Sequence, residues 1–422
     1  MRGVALGALL WWLLLGGQGH ATTYSVAPTG TDTIPCAQAT VAVTPRQTLN
    51  GGIACLQPGD TLEIGSGTYQ ELLVAGVSNL VPVRTVQPNT ANIPNGMSPT
   101  RHTTLRAAPG ATVWVQSTLH YPGGGGVLTA HSPAQYITWD GINANGLDVQ
   151  VRTVMLEGSD LVYTRAEVTR SFGQCITSQQ HSHRVTLSHL HVHHCGMESP
   201  PDGSPNPHAL YICGTGKIIE HNHVHHAPNR GIQLSCEQGG IADGIIRFNR
   251  IHDVNIGIGL QGRNNETSDN VIVGAGIGIW MTGGSGGIIR NNTIYDWRQV
   301  LGDTYGILSA GGGGPVLRDN IVVKQRVITS TGFNRYIHTT GTVPQMSGNL
   351  FDVAPRGGIQ PAFVVPEVST LFVDAPAGDF RLAPGSPAIG VGHNGGNLGA
   401  TIPDTGAPGV PGPVTRLTVT TN

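Results

Sequence analysis

Residues 206–236 read Asn-Pro-His-Ala-Leu-Tyr-Ile-Cys-Gly-Thr-Gly-Lys-Ile-Ile-Glu-His-Asn-His-Val-His-His-Ala-Pro-Asn-Arg-Gly-Ile-Gln-Leu-Ser-Cys. They hold one structural repeat and the start of the next. Ala209-Leu210-Tyr211-Ile212 returns as Gly231-Ile232-Gln233-Leu234, then as Gly257-Ile258-Gly259-Leu260, Gly278-Ile279-Trp280-Met281 and Gly306-Ile307-Leu308-Ser309. An asparagine-led strand follows in each unit, at Asn222-His223-Val224-His225, Asn249-Arg250-Ile251-His252, Asn270-Val271-Ile272-Val273, Asn292-Thr293-Ile294-Tyr295 and Asn320-Ile321-Val322-Val323. The glycine-led strand recurs every 21 to 28 residues, and self-similarity at that period marks a solenoid. The units carry no amphipathic-helix pattern and no leucine framework, so the expected class is all-β, a parallel β-helix. Ile and Val would stack inward in columns. The leading asparagines would stack at a turn, each amide bonding the next coil. Glycines would supply the positive φ that tight corners require.

The chain has 422 residues, 61 of them glycine, with 11% charged residues and a formal net charge of −2. An average domain carries roughly 25% charged residues. No basic surface points to nucleic acid or an anionic membrane. Arg2, the apolar run Val4 to Leu15 and the small-residue site Gly19-His20-Ala21 read as a secretory signal over residues 1–21. That run is short of the roughly 20 residues a membrane span needs, so export with cleavage is expected, to the periplasm or the extracellular space. An even set of cysteines in an exported chain suggests disulfides. Cys36 with Cys55 would close an N-terminal loop; Cys175, Cys195, Cys213 and Cys236 lie about one repeat apart and could staple neighbouring coils, in a pairing left open.

Residues 22–133 are assigned to the N-terminal cap and first coils, 134–325 to regular repeats, 326–400 to the last coils and a C-terminal cap, and 401–422 to a flexible tail or linker. Cys55-Leu56-Gln57-Pro58-Gly59-Asp60-Thr61-Leu62-Glu63-Ile64, closed by Gly65-Ser66-Gly67-Thr68-Tyr69, resembles the N-terminal cap of secreted, pectate-lyase-like right-handed parallel β-helix proteins. Leu371 to Ile389 resembles their C-terminal end. The resemblance implies a single-stranded right-handed parallel β-helix with both ends capped. A cap is needed so that no strand edge is left to pair with another molecule.

A β-helix exposes alternate strand positions, and equivalent positions on successive coils lie about 4.8 Å apart. Aligning coils by their inward Ile and Leu gives two outward columns: His208, Arg230, Ile256, Ile277 and Tyr305, and beside it Tyr211, Gln233, Gly259, Trp280 and Leu308. Removing the weakly acidic C5 proton of a uronic acid takes a base, a cation for the carboxylate, and an acid for the leaving oxygen. His208, Arg230 and Tyr211 are those residue types in one patch, with Lys217 as a further base. Gln233, Trp280, Tyr305, His223 and His225 are the candidate substrate-binding residues. On the asparagine-led strands, Thr169, His193, His225, His252, Val273 and Tyr295 point outward, as do Glu167, His191, His223 and Arg250. Metal binding, acid–base chemistry and a pH-dependent surface are open to these histidines, with ring-on-ring stacking as the plain structural account. His193 and His225 lead as metal ligands, but only Asp253 is at hand as a carboxylate, so no metal site is assigned; calcium stays open as a cofactor.

The polygalacturonase-like signatures and the calcium-binding aspartate cluster of pectate lyases are absent. Asn206-Pro207-His208, with Arg230-Gly231-Ile232 on the next coil, is similar to the Asp-Pro-His motif and following basic-Gly-Ile strand of periplasmic mannuronan C5-epimerases. That similarity implies His208 as base and Arg230 as carboxylate partner. Asn206 stands where the family has aspartate, and Cys213 to Lys217 is an insertion. The expected function is a polysaccharide lyase cleaving a uronic-acid polymer by β-elimination. The alternatives are a C5-epimerase on the same polymer, or a non-catalytic solenoid that binds an acidic polysaccharide. A monomer is expected.

Overall fold

The computed structural model describes residues 20–76, 90–119, 125–196, 207–236, 239–297, 304–324, 334–340, 342, 344–354 and 363–401. The expected signal and tail lie outside the described residues, apart from His20, Ala21 and Thr401. Asn206 lies outside them too. No described helix is long and apolar enough to cross a membrane.

The strands stack as three parallel ladders wound around one apolar core. The first ladder has 12 strands, from Thr23–Val26 to Gln345–Ser347. The second runs from Gly67–Gln70 through His191–Cys195 to Leu350–Phe351 and Phe363–Val364. The third runs from Leu73–Ala75 through His208–Ile212 to Asn334–Thr340. Two strands, His223–Leu234 and Arg250–Gln261, turn the corner from the second ladder to the third without a break. Inward residues such as Leu210, Ile232, Ile258, Ile279 and Ile307 are fully buried, each worth about 1.5–3 kcal/mol relative to exposure.

The asparagine ladder forms and runs one coil further than the sequence pattern suggests. Nδ2 of Asn222 donates to Oδ1 of Asn249 at 2.9 Å, Asn249 to Asn270, Asn270 to Asn292, Asn292 to Asn320, and Asn320 to Asn349 at 2.9 Å. Each Oδ1 also accepts the backbone N–H of the preceding asparagine. Burial without partners would make these groups costly; the stack satisfies them.

Glycines do supply positive φ at turns, among them Gly141, Gly196, Gly216, Gly262 and Gly274, but the strand-leading Gly231, Gly257, Gly278 and Gly306 do not have positive φ. A Cβ at these positions would fall 2.3–2.7 Å from a methyl of Ile251, Ile272, Ile294 or Val322 on the preceding ladder. The corner interior is already filled, and only hydrogen fits. Left-handed backbone also recurs one residue before each asparagine of the ladder, at His221, Phe248, Asp269, Asn291 and Asp319, with φ from 51 to 57°, and at Gly348, with φ 66°. Such a backbone costs roughly 1–2 kcal/mol for an L-residue, offset here by the amide stack.

At the N-terminus the helix Leu49–Ile53 covers the first coil, with Leu49 and Ile53 buried. Thr48 caps it by accepting from Gly51 N, and the buried Glu71 carboxylate accepts the Leu49 and Asn50 N–H groups. Asp60 closes the preceding turn by accepting from Gln57 N and Thr22 N. Disulfides join Cys36 to Cys55, Cys175 to Cys195 and Cys213 to Cys236. In the C-terminal segment Phe372–Asp374 and Asp379–Leu382 form an antiparallel hairpin. It lies along the outer side of the second ladder, where Phe372 and Phe380 pack on Tyr295 with Val271, Val273, Ile321 and Val323. The outward positions Val273 and Tyr295 are apolar because this strap covers them.

Candidate functional site on the third ladder

The register confirms the two aligned columns. His208 pairs with Arg230, Arg230 with Ile256, Ile256 with Ile277, and Ile277 with Tyr305. Tyr211 pairs with Gln233, Gln233 with Gly259, Gly259 with Trp280, and Trp280 with Leu308. His208, Tyr211, Arg230, Gln233 and Trp280 therefore lie on three of four consecutive rungs of one face, with Gly259 on the rung between Gln233 and Trp280.

The contacts inside this patch are close. The His208 and Tyr211 rings are 5.4 Å apart. The Arg230 guanidinium lies 5.1 Å from the Trp280 ring centre, a cation–π distance. Gly259, between them, leaves the space that the Gln233 carboxamide fills. Four polar atoms here are buried without a hydrogen-bond partner: His208 Nδ1, Arg230 Nε, Gln233 Oε1 and Trp280 Nε1. Such groups are uncommon in a folded protein, and four of them share this one face.

Arg230 differs from the arginines of the first ladder. Arg184, Arg247 and Arg290 each bond a carboxylate on the neighbouring rung, Asp160, Glu220 and Glu266. No carboxylate among the described residues reaches Arg230. Burial alone pulls its pKa down, with Tyr211 opposing. His208, 3% exposed, is held down to about 4 by burial and then by the Arg230 charge. It is therefore a neutral imidazole at pH 7.

Four other candidates are not in this patch. Lys217 is 1% exposed, with Nζ donating to Ser182 Oγ at 2.7 Å; its ammonium is a buried structural group whose pKa burial lowers well below normal. Tyr305 sits three rungs beyond Arg230, about 14 Å away, and its ring stacks on His338 at 5.1 Å. His223 and His225 belong to the second ladder, on the other side of the corner. One residue escaped the sequence reading: Thr177, paired with Tyr211 on the preceding rung, has a buried Oγ1 without a partner. In its strand, Gln174–Thr177, Cys175 stands at the register position that a glycine takes in the later coils.

The second-ladder histidines do stack. His191 lies on His223 at 5.1 Å, His193 on His225 at 5.0 Å, and His225 on His252 at 4.8 Å, with interplanar angles of 7° or less. They also bond diagonally across rungs. His193 Nε2 bonds Glu167 Oε1 at 3.1 Å, while His191 Nε2 meets His225 Nε2, and His223 Nε2 meets His252 Nε2, each at 2.8 Å. Glu167 is the carboxylate that the sequence reading overlooked.

Residues 174–351 match the family model of the right handed beta helix region. That span begins at the strand Gln174–Thr177 and ends with the last strand of the asparagine-led series. Among solved structures the chain is similar to pectate lyase Pel9A, at 13% identity, a TM-score of 0.58, and coverage of 90% of this chain and 96% of that one. It is also similar to XylC in its complex with xylose, at 12% identity, a TM-score of 0.53, and coverage of 78% and 74%. No curated protein matches the sequence. At these identities the likeness is one of fold, and it agrees with the ladders: the chain is a single-stranded right-handed parallel β-helix.

Proposed function

We propose that the protein is a carbohydrate-active β-helix which cleaves a uronic-acid polysaccharide by β-elimination on the face formed by His208, Tyr211, Arg230, Gln233 and Trp280. The observation that carries this reading is Arg230, a half-buried cation with no carboxylate partner among the described residues, set beside a neutral histidine and a tyrosine. In the proposed step Arg230 holds the uronate carboxylate and stabilises the negative charge that develops when C5 loses its proton. His208 takes that proton, and the Tyr211 hydroxyl gives one to the departing C4 oxygen. The C4–O bond breaks and a C4=C5 double bond remains. Gln233 and Trp280 bind neighbouring groups of the polymer. The protein's similarity to pectate lyase Pel9A in fold supports an acidic polysaccharide as the class of substrate.

The test incubates the protein with a panel of uronic-acid polymers, with and without calcium, and follows the ultraviolet absorbance of unsaturated ends. Absorbance that vanishes in His208→Ala and Arg230→Ala is the expected result. A changed ratio of uronic acids without absorbance would replace elimination by C5 epimerisation. Neither signal, with the polymer still retained, would leave a binding solenoid.

A further inference from the structure

The histidine array on the second ladder is not used by the proposed reaction, and its order goes beyond stacking. Outward positions on adjacent rungs repeat one motif three times. The first row runs from Glu167 to His193 and on to His194. The second runs from His191 to His225 and on to His226. The third runs from His223 to His252 and on to Asp253. The outer rows each contain a carboxylate; the middle row is imidazole alone. His223 Nδ1 is buried without a partner.

The geometry points to a binding site for one divalent, imidazole-preferring metal ion of the zinc class, with His191, His223 and His225 as its protein ligands. These three residues each bring one ring nitrogen within 4.8 Å of the others. Two nitrogens held tetrahedrally at about 2.0–2.1 Å from a zinc ion lie roughly 3.3 Å apart. The 2.8 Å contact between His191 and His225 would open by about half an ångström, a change within reach of side-chain rotation alone. Three protein ligands leave a fourth position for water or an exogenous ligand.

Electrostatics favours the middle row. A dication there is flanked on one side by the row containing Glu167 and on the other by the row ending in Asp253. The inward Val192 and Val224 anchor the rungs, so the ligand backbone is fixed before any ion arrives.

The test uses the full chain produced without a histidine tag, freed of metal with EDTA and titrated calorimetrically with zinc chloride. One equivalent with a dissociation constant at or below micromolar is expected. His191→Gln and His225→Gln should each weaken it at least 30-fold. The control His189→Gln/His221→Gln removes another stacked pair, whose rings lie 4.9 Å apart, and should leave binding within threefold. No tight equivalent in the unmodified chain, or an equal loss in the control, would overturn the site and leave only the weak affinity of a histidine-rich surface. Far-ultraviolet circular dichroism in EDTA establishes that the variants fold. X-ray absorption of the zinc-loaded unmodified chain gives a reading independent of mutation: a shell of imidazole nitrogens at about 2.0–2.1 Å is expected, and its absence would also overturn the site.

Discussion

Gln233 Oε1 occupies the place where a side chain on Gly259 would begin: a Cβ on that glycine would fall 2.1 Å from it. The glycine does not have positive φ, so alanine suits the backbone. The conflict is with the flexible end of Gln233 alone. We expect Gly259→Ala to keep its thermal midpoint within a few degrees while polymer cleavage drops at least tenfold. Unchanged turnover would show that the carboxamide has no part in the reaction.

The acid limb of the pH profile should follow His208. Its folded pKa is about 4, below the ordinary 6.5, because burial and Arg230 disfavour the imidazolium. The base form is therefore present above about pH 4, and kcat/KM should fall as pH drops through that value. Arg230→Gln removes the repulsion, so the limb should move up towards 6.5 in whatever activity remains. Stability carries the same sign. Between pH 6.5 and 4 the unfolded chain takes up a proton that folded His208 refuses, so lowering the pH across that window destabilises the fold. A limb at 6.5 in the unmodified protein would remove His208 from the role of base.

Trp280 should act through Arg230. A cation–π contact contributes about 0.5–2 kcal/mol, so Trp280→Ala should weaken binding of a uronate oligomer roughly 2–30-fold, and Trp280→Phe by less. Equal binding in both variants, by fluorescence or calorimetry, would mean that the ring neither steers the guanidinium nor touches the sugar.

The asparagine ladder should be costliest to break in the middle. Asn270 donates to Ile246 O, Ser268 O and Asn292 Oδ1, and accepts twice from Asn249. Each buried group left unpartnered costs about 1–3 kcal/mol. We therefore expect Asn270→Ala to lower the denaturation midpoint more than Asn349→Ala, where the stack ends. Equal shifts would show that the amides do not act as a chain.

The coils were legible because their signal is periodic. Inward Ile and Val, the leading asparagines and the strand-leading residues recur in phase, and that phase alone aligned His208 with Arg230 and Tyr211 with Gln233. Where the signal is not periodic, the reading stopped. Nothing local distinguishes Gly231, which clears space for Ile251, from a glycine at positive φ; the difference lies in a strand of the preceding ladder. Lys217 looked like a free base because its burial depends on the coil carrying Ser182. The packing of Phe372 and Phe380 on Val273 and Tyr295 was not legible because those partners lie some 80–100 residues earlier.

The strap made by the C-terminal segment bears on the order of folding. Coil-to-coil bonds in the asparagine ladder join residues only 21–29 positions apart, so the stack can zip up from local contacts. The strap instead ties Arg250 to Gly378, Asp269 to Thr401 and Asn291 to Asn397, over 128, 132 and 106 residues. Loop closure over such lengths is slow, which makes docking of the strap the last event in refolding. Until it docks, Val273, Tyr295 and Val323 form an adhesive stripe on a finished solenoid. Refolding should therefore be most sensitive to protein concentration in its final phase, and a chain ending before residue 363 should build its coils and then self-associate.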